Sequence, residues 1–162
     1  MDVLKSSCAL LGILEPESEK NNQFDIAIRL IALFGPILLY WYHFHKSNGK
    51  VRINTYTGSQ DSVAVNFMKL YYNDDKEINP LIIRTFDVSL ILYAEHDFNA
   101  STFCARTTIS TQSDFYSGIT SAIGTLRGNL HGGANEAAME LLAPLKSIEE
   151  AERMVCNYLT IK

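Results

Sequence analysis

The residues best placed to do chemistry lie in Gly128-Asn129-Leu130-His131-Gly132-Gly133-Ala134-Asn135-Glu136, where a histidine sits among glycines at the joint of two helix-like segments. Upstream, Asp114 to Arg127 carries apolar residues at Phe115, Ile119, Ala122, Ile123 and Leu126, a helical spacing. Downstream, Ala134 to Leu142 reads as a second helix, with Glu136 in the first turn, where the helix dipole favours a carboxylate. Gly132 and Gly133 permit a sharp turn and the close approach of a ligand. An imidazole at a helix start meets the positive pole, which disfavours the imidazolium. A neutral ring can donate a hydrogen bond to a carbonyl oxygen. The competing reading is structural: a histidine packed into a tight helix connection needs no ligand.

A second set, Glu95-His96-Asp97, falls at the C-terminal end of a helix read from Leu81 to about Glu95. There the dipole favours a cation, and a positively biased imidazole can hold a carboxylate. His43 and His45 stand two apart, so on a helix they point to different faces. A metal site built from His43, His45, His96 and His131 would need a strand at the pair and further ligands. The pair is read instead as helix-end residues near the negative pole, and no metal is expected. Cys8, Cys104 and Cys156 form an odd, scattered set without paired spacing, as expected of reduced thiols acting as small buried hydrophobes.

These residues must be positioned by a chain of 162 residues, one domain's worth, with 47% apolar and 20% charged residues and a formal charge of −4. That balance excludes a nucleic-acid surface, which needs clustered Lys and Arg; those of Lys46 to Arg52 are too few. The N-terminus lacks the pattern of a secretory signal. Leu30 to Tyr42 is almost wholly apolar, but it falls short of the roughly 20 residues of a membrane span. It is flanked by Asp25 and Arg29 and interrupted by Gly35-Pro36, so it reads as a buried helix pair. A cytoplasmic location without a membrane partner is expected.

The pattern predicts an all-α, multi-helix fold. Asp2 caps a first helix with Val3, Leu4, Cys8, Leu11 and Leu14 on one face, and Glu15-Pro16 stops it. Phe24 to Leu33 is the next helix; Gly35-Pro36 ends it and opens a third, which buries Trp41, Tyr42 and Phe44 on most sides. Ser47-Asn48-Gly49 marks a turn, and Val51-Arg52-Ile53 admits one short strand pair near 51–57. Asp61 or Ser62 caps a helix through Tyr71, and Asn73 to Glu77 is a solvated loop. Asn79-Pro80 opens the helix that buries Ile82, Phe86, Leu90 and Tyr93. Ser113 caps the helix that follows, on which Gly118, Ser121, Ala122 and Gly124 are small enough to let another helix approach. That surface reads as a subunit contact or as internal close packing. Ser147-Ile148-Glu149-Glu150 fits a capping box for a final helix.

Taken together, Tyr93-Ala94-Glu95-His96-Asp97-Phe98-Asn99-Ala100-Ser101-Thr102, the helix from Ser113-Asp114 to Leu126-Arg127-Gly128, and the histidine–glycine turn resemble the citrate synthase family. With Leu38-Leu39-Tyr40-Trp41-Tyr42-His43 upstream, the chain is most similar to the 2-methylcitrate synthase branch of that family. The likeness runs from Met1 to about Glu150. It implies that Phe98 to Thr111 is helical despite its serines and threonines, and that 1–162 is the central segment of the family's large domain. The N-terminal part, the small domain and the C-terminal part of the family pattern would lie outside it.

The resemblance also implies a reaction. Family members condense an acyl-CoA with oxaloacetate, the 2-methylcitrate branch using propionyl-CoA and others acetyl-CoA, with no permanently bound cofactor. A carboxylate base, a histidine donating to the thioester oxygen and a histidine polarising the ketone share the work. By motif, His131 corresponds to the thioester-facing histidine and His96 to a residue that grips oxaloacetate. The second catalytic histidine and the base match nothing here, so the chain by itself is expected to be inactive; Arg106 and Arg127 match no family arginine motif and read as structural. Asn129 stands where the family often has proline, which leaves the turn at His131 less preset. A homodimer through the 113–127 helix region is the implied assembly. The alternative is a non-catalytic helical remnant that serves only as an association module.

Overall fold

The computed structural model describes residues 1–50, 61–74 and 77–160, and among them every regular element is an α-helix. They are α1 (Asp2–Leu14), α2 (Gln23–Lys46), α3 (Val63–Tyr72), α4 (Pro80–Tyr93), α5 (Ala100–Ser110), α6 (Phe115–Leu126), α7 (Gly133–Leu142) and α8 (Ile148–Thr160). The all-α expectation holds; the strand pair near 51–57 lies outside the described residues. The chain divides into two compact units, Met1–Gly124 and Thr125–Lys162, and each is described by itself.

The core of the first unit joins Leu4 and Cys8 of α1, Ile26 and Leu30 of α2, and Tyr116 and Ile123 of α6. Each fully buried aliphatic side chain contributes about 1.5–3 kcal/mol. Leu11 packs at the edge of this cluster, whereas Leu14 is exposed because the helix ends there. Asp2 is the first helical residue rather than the cap, and its carboxylate pairs with Lys5 at 3.0 Å. An acid in the first turn serves the dipole without capping.

The largest departure from expectation is α2. Gly35-Pro36 does not divide it; one helix of 24 residues runs through Pro36. Proline there removes one intrahelical bond and costs about 3 kcal/mol. The helix continues because it is held on both sides of the proline, by Ile26 and Leu30 in the α1–α6 core and by Leu39 and His43 against α3. At this length α2 is long and apolar enough to cross a membrane, by length and composition. Its C-terminal half is also not buried on most sides: Trp41, Tyr42 and Phe44 are exposed, while Leu39 and His43 are buried and Ile37 packs against the core.

Asn22 caps α2 through Phe24 and Asp25, and Ser62 caps α3 through Val65, as its sequence position predicts. Asn73 ends α3 in the left-handed region, φ 50°, a conformation asparagine tolerates. Asn79 caps α4 with Pro80 in the first turn. Contrary to the periodicity, α4 buries none of its residues. Ile82, Leu90 and Tyr93 are exposed, and Phe86 is half-buried, stacked on Phe67 at 4.7 Å. Its main partner among the described residues is α3, which is too short to cover the whole stripe.

α5 is helical despite its hydroxyls, and it accommodates two of them by letting Thr107 and Thr108 donate to the carbonyls of Phe103 and Cys104, one turn back. α6 is capped by Asp114, not Ser113: Oδ1 accepts the Ser117 N–H at 3.0 Å and Oδ2 its hydroxyl at 2.6 Å. These bonds, the hydroxyl's first, hold the Asp114 carboxyl below its ordinary range. Gly118 and Ser121 are used for internal packing. Gly118 lies against Ile109, and Ser121 bonds Thr108 at 2.8 Å.

In the second unit, Ser147 caps α8 by accepting the Glu150 N–H at 3.3 Å, while Glu150 reaches back to the Lys146 N–H at 2.8 Å. The Ser147 half of the predicted box forms in register, and the return bond from Glu150 lands one residue earlier, on Lys146. Burial pushes the Cys8 thiol up from its usual value, as fits an unreactive core residue, whereas Cys104 is half-buried and Cys156 exposed.

Candidate functional site

The turn that carries His131 is built from short backbone bonds. Gly128 N–H donates to Thr125 C=O at 3.0 Å, ending α6. The Gly128 carbonyl then accepts from both His131 at 2.9 Å and Gly133 at 3.1 Å. His131 C=O accepts from Ala134 at 3.0 Å and so opens α7, with Glu136 in the first turn as expected. His131 is half-buried at this helix start.

The glycines act differently from the sequence reading. Gly132 has ordinary helical angles, φ −62° and ψ −30°, and Gly133 also lacks a positive φ. What Gly132 supplies is space: a Cβ there would stand 2.1 Å from the Leu126 carbonyl oxygen. A Cβ on Gly133 would stand 3.2 Å from the Gly128 carbonyl oxygen. The turn is therefore set by close backbone approach, and Asn129 does not use the left-handed freedom that asparagine has.

In the first unit, α4 ends at Tyr93 and His96 lies three residues beyond it, exposed. It is past the last turn, so the dipole argument made from sequence does not reach it. A different device presents it. Glu95 Oε1 accepts the Asp97 N–H at 2.5 Å, Asp97 takes φ 51°, and Asn99 Oδ1 caps α5 through Thr102 at 2.9 Å. Arg106 stacks over Phe98, 5.1 Å from the ring centre, which fits its structural reading. Sequence reasoning named His96 but missed the turn around it; Asn99 ahead of Ala100-Ser101-Thr102 was the legible signal.

His43 is buried with Nε2 2.8 Å from the Leu70 carbonyl. The carbonyl can only accept, so Nε2 carries the proton. His45 meets the Trp41 ring edge-on at 4.3 Å. Among the described residues no three His, Cys, Asp or Glu side chains gather as a metal set. A cavity of about 160 Å³ in the first unit lies between α2 and α3, lined in part by Ile31, Gly35, Pro36, Asn66 and Phe67, and includes none of the histidines. His96 and His131 belong to different units, so each is placed only within its own.

The model of the citrate synthase C-terminal domain family matches residues 1–162. The chain is 48% identical over 162 residues to a 2-methylcitrate synthase of Shewanella oneidensis, covering all of this chain and 42% of that protein. A citrate synthase of Mycolicibacterium smegmatis is 37% identical, covering all of this chain and again 42% of its own length. Among solved structures, citrate synthase from Thermotoga maritima aligns with a TM-score of 0.73 at 33% identity, over 98% of this chain and 40% of that one. A ternary complex of carboxymethyl coenzyme A and oxaloacetate with citrate synthase from Thermoplasma acidophilum aligns at 0.74 and 29% identity, over 93% of this chain and 38% of that one. The chain thus spans about two fifths of the length of the relatives it matches.

Proposed function

The chain belongs to the citrate synthase family, and from that premise we propose that it is the central segment of a large domain that condenses propionyl-CoA, or acetyl-CoA, with oxaloacetate. The greater identity to a 2-methylcitrate synthase than to a citrate synthase supports propionyl-CoA. The archaeal relative that holds a coenzyme A analogue together with oxaloacetate supports the pairing of substrates. Acyl-CoA enters as substrate, not as a resident cofactor, and no metal takes part.

The observation that carries this reading is the turn at His131, a half-buried imidazole at the start of α7 on a backbone too tight to admit a side chain at position 132. In the proposed mechanism the neutral ring donates to the thioester oxygen as the adjacent carbon loses its proton. A donor fixed where negative charge develops lowers the barrier to the enol. His96, exposed on its turn after α4, binds a carboxylate of oxaloacetate. The base and the ketone-polarising histidine come from residues outside these 162, so the chain by itself is catalytically silent. A second copy is proposed to dock through the 113–127 helix region, and the location is proposed to be cytoplasmic.

The test is oxaloacetate-dependent thiol release from propionyl-CoA and acetyl-CoA, measured on this chain and on a version extended by the family's remaining segments. The expected outcome is none for the former and turnover for the latter, greater with propionyl-CoA. In the extended protein, His131→Ala lowers kcat by about 10²–10³-fold, the usual loss for one fixed donor. His96→Ala raises the KM for oxaloacetate. Robust turnover by the 162 residues alone would overturn the assignment of the missing groups.

A further inference from the structure

The segment between α1 and α2 does more than connect them. The Glu17 carboxylate, half-buried, accepts the Phe115 N–H at 2.6 Å across 98 positions of sequence. Phe115 is the first residue of α6, where an N–H has no acceptor within its own helix. Asp114 takes its side-chain bonds from Ser117, and the Phe115 N–H goes instead to Glu17, so the start of α6 receives a second cap from a remote loop. One residue on, the Tyr116 hydroxyl donates to the Glu15 carbonyl at 3.0 Å. That same carbonyl accepts from Asn21 Nδ2 at 2.7 Å, which also reaches the Pro16 carbonyl at 3.1 Å.

Asn21 is bound at its other end as well. Its Oδ1 accepts from Arg29 at 3.1 Å, and the Arg29 guanidinium also pairs with the Glu15 carboxylate. Ser18 and Asn21 exchange two backbone bonds of 3.1 Å, closing the loop on itself. The Tyr116 ring is 2% exposed and lies on Gly12, where an added Cβ would stand 3.2 Å from it. The bonds of Tyr116, Asn21, Arg29 and Ser18 are chained through the shared residues Glu15 and Asn21, and the Glu17–Phe115 bond lies beside them, between neighbouring residues of the same two segments.

We propose that the segment from Glu15 to Asn22 is a clasp that fastens α1 and α2 to the first turn of α6 and opens as one unit. The clasp is independent of the proposed reaction. A set of separate surface bonds would open one at a time, each exposing its own donor; a clasp exposes all of them in a single event.

Amide hydrogen exchange followed by NMR on the 162-residue chain separates the two. The reporters are Ser18 and Asn21 in the loop and Phe115 and Gly118 in α6, all bonded through their N–H groups. Tyr116→Phe removes one oxygen and keeps the ring, so it preserves the core. It is expected to speed all four amides by a common factor of about tenfold, the equivalent of one lost hydrogen bond of ordinary strength. Asn21→Ala is expected to accelerate the same four together. Glu17→Gln, which keeps an acceptor oxygen, gives a smaller effect than Glu17→Ala. Acceleration confined to the amides bonded to the altered group would overturn the clasp and leave independent bonds in its place.

Discussion

At the scale of single residues, Asp114 shows how a small polar side chain sets a helix start. Its carboxylate takes two bonds from Ser117, and these hold its acid form off to lower pH than usual. A carboxyl with a depressed folded pKa contributes stability that is fully present above the unfolded value of about 3.9 and is lost as pH falls through the folded one. Asp114→Ala is therefore expected to cost about 1 kcal/mol at pH 7, the usual value of a cap. Asp114→Asn, which still accepts a bond, costs less at pH 7 and removes this residue's share of acid sensitivity. Urea titrations at pH 7 and pH 3 check both; an Asp114→Asn protein with unchanged acid sensitivity contradicts the assignment. Gly132 makes the complementary point, since its ordinary backbone angles reveal nothing special until the Leu126 carbonyl is seen against it.

At the scale of elements, the contact of α5 with α6 depends on an absent side chain. A Cβ on Gly118 would stand 2.7 Å from Ile109 Cγ1 and 2.8 Å from Cδ1. Gly118→Ala gains about 0.5–1 kcal/mol of helix propensity, yet the overlap costs about 1–3 kcal/mol. Net destabilisation is expected, and Ile109→Val in the same chain is expected to recover part of it by removing Cδ1. A double-mutant cycle by denaturant titration measures the coupling; additive effects would mean that the two side chains do not meet. α2 carries the opposite lesson. Its Gly35-Pro36 pair has every local mark of a boundary, yet the helix passes through, because packing on either side outweighs one lost bond.

At the scale of the whole molecule, the described residues leave much apolar surface in water. Leu92, Tyr93, Phe98 and Leu130 stand out, with Phe24 and Ile148 on other helices. Exposure of this extent marks surfaces that associate. The 162-residue chain is expected to bind a hydrophobic dye while folded and to grow in apparent size with concentration; the extended protein is expected to do neither to the same degree. Light scattering over a concentration series decides it. A chain that stays monomeric and dye-free would show that these exposed side chains do not drive association.

How much was legible in the sequence follows from the range of the forces involved. Most helices, the caps at Ser62, Asn79 and Ser147, the turn at Asn48-Gly49, and the histidine–glycine motif were readable, because each depends on residues a few positions apart, whereas α5 was legible only through the resemblance and the continuity of α2 was not. Burial was not. Periodicity marks which face of α4 is apolar, but only the tertiary structure decides whether something covers it, and here α3 covers little. The cap on α6 from Glu17 was equally invisible, since its two partners lie 98 positions apart and nothing in either stretch refers to the other. Local chemistry is written in neighbouring residues; which distant groups meet is settled only when the chain packs.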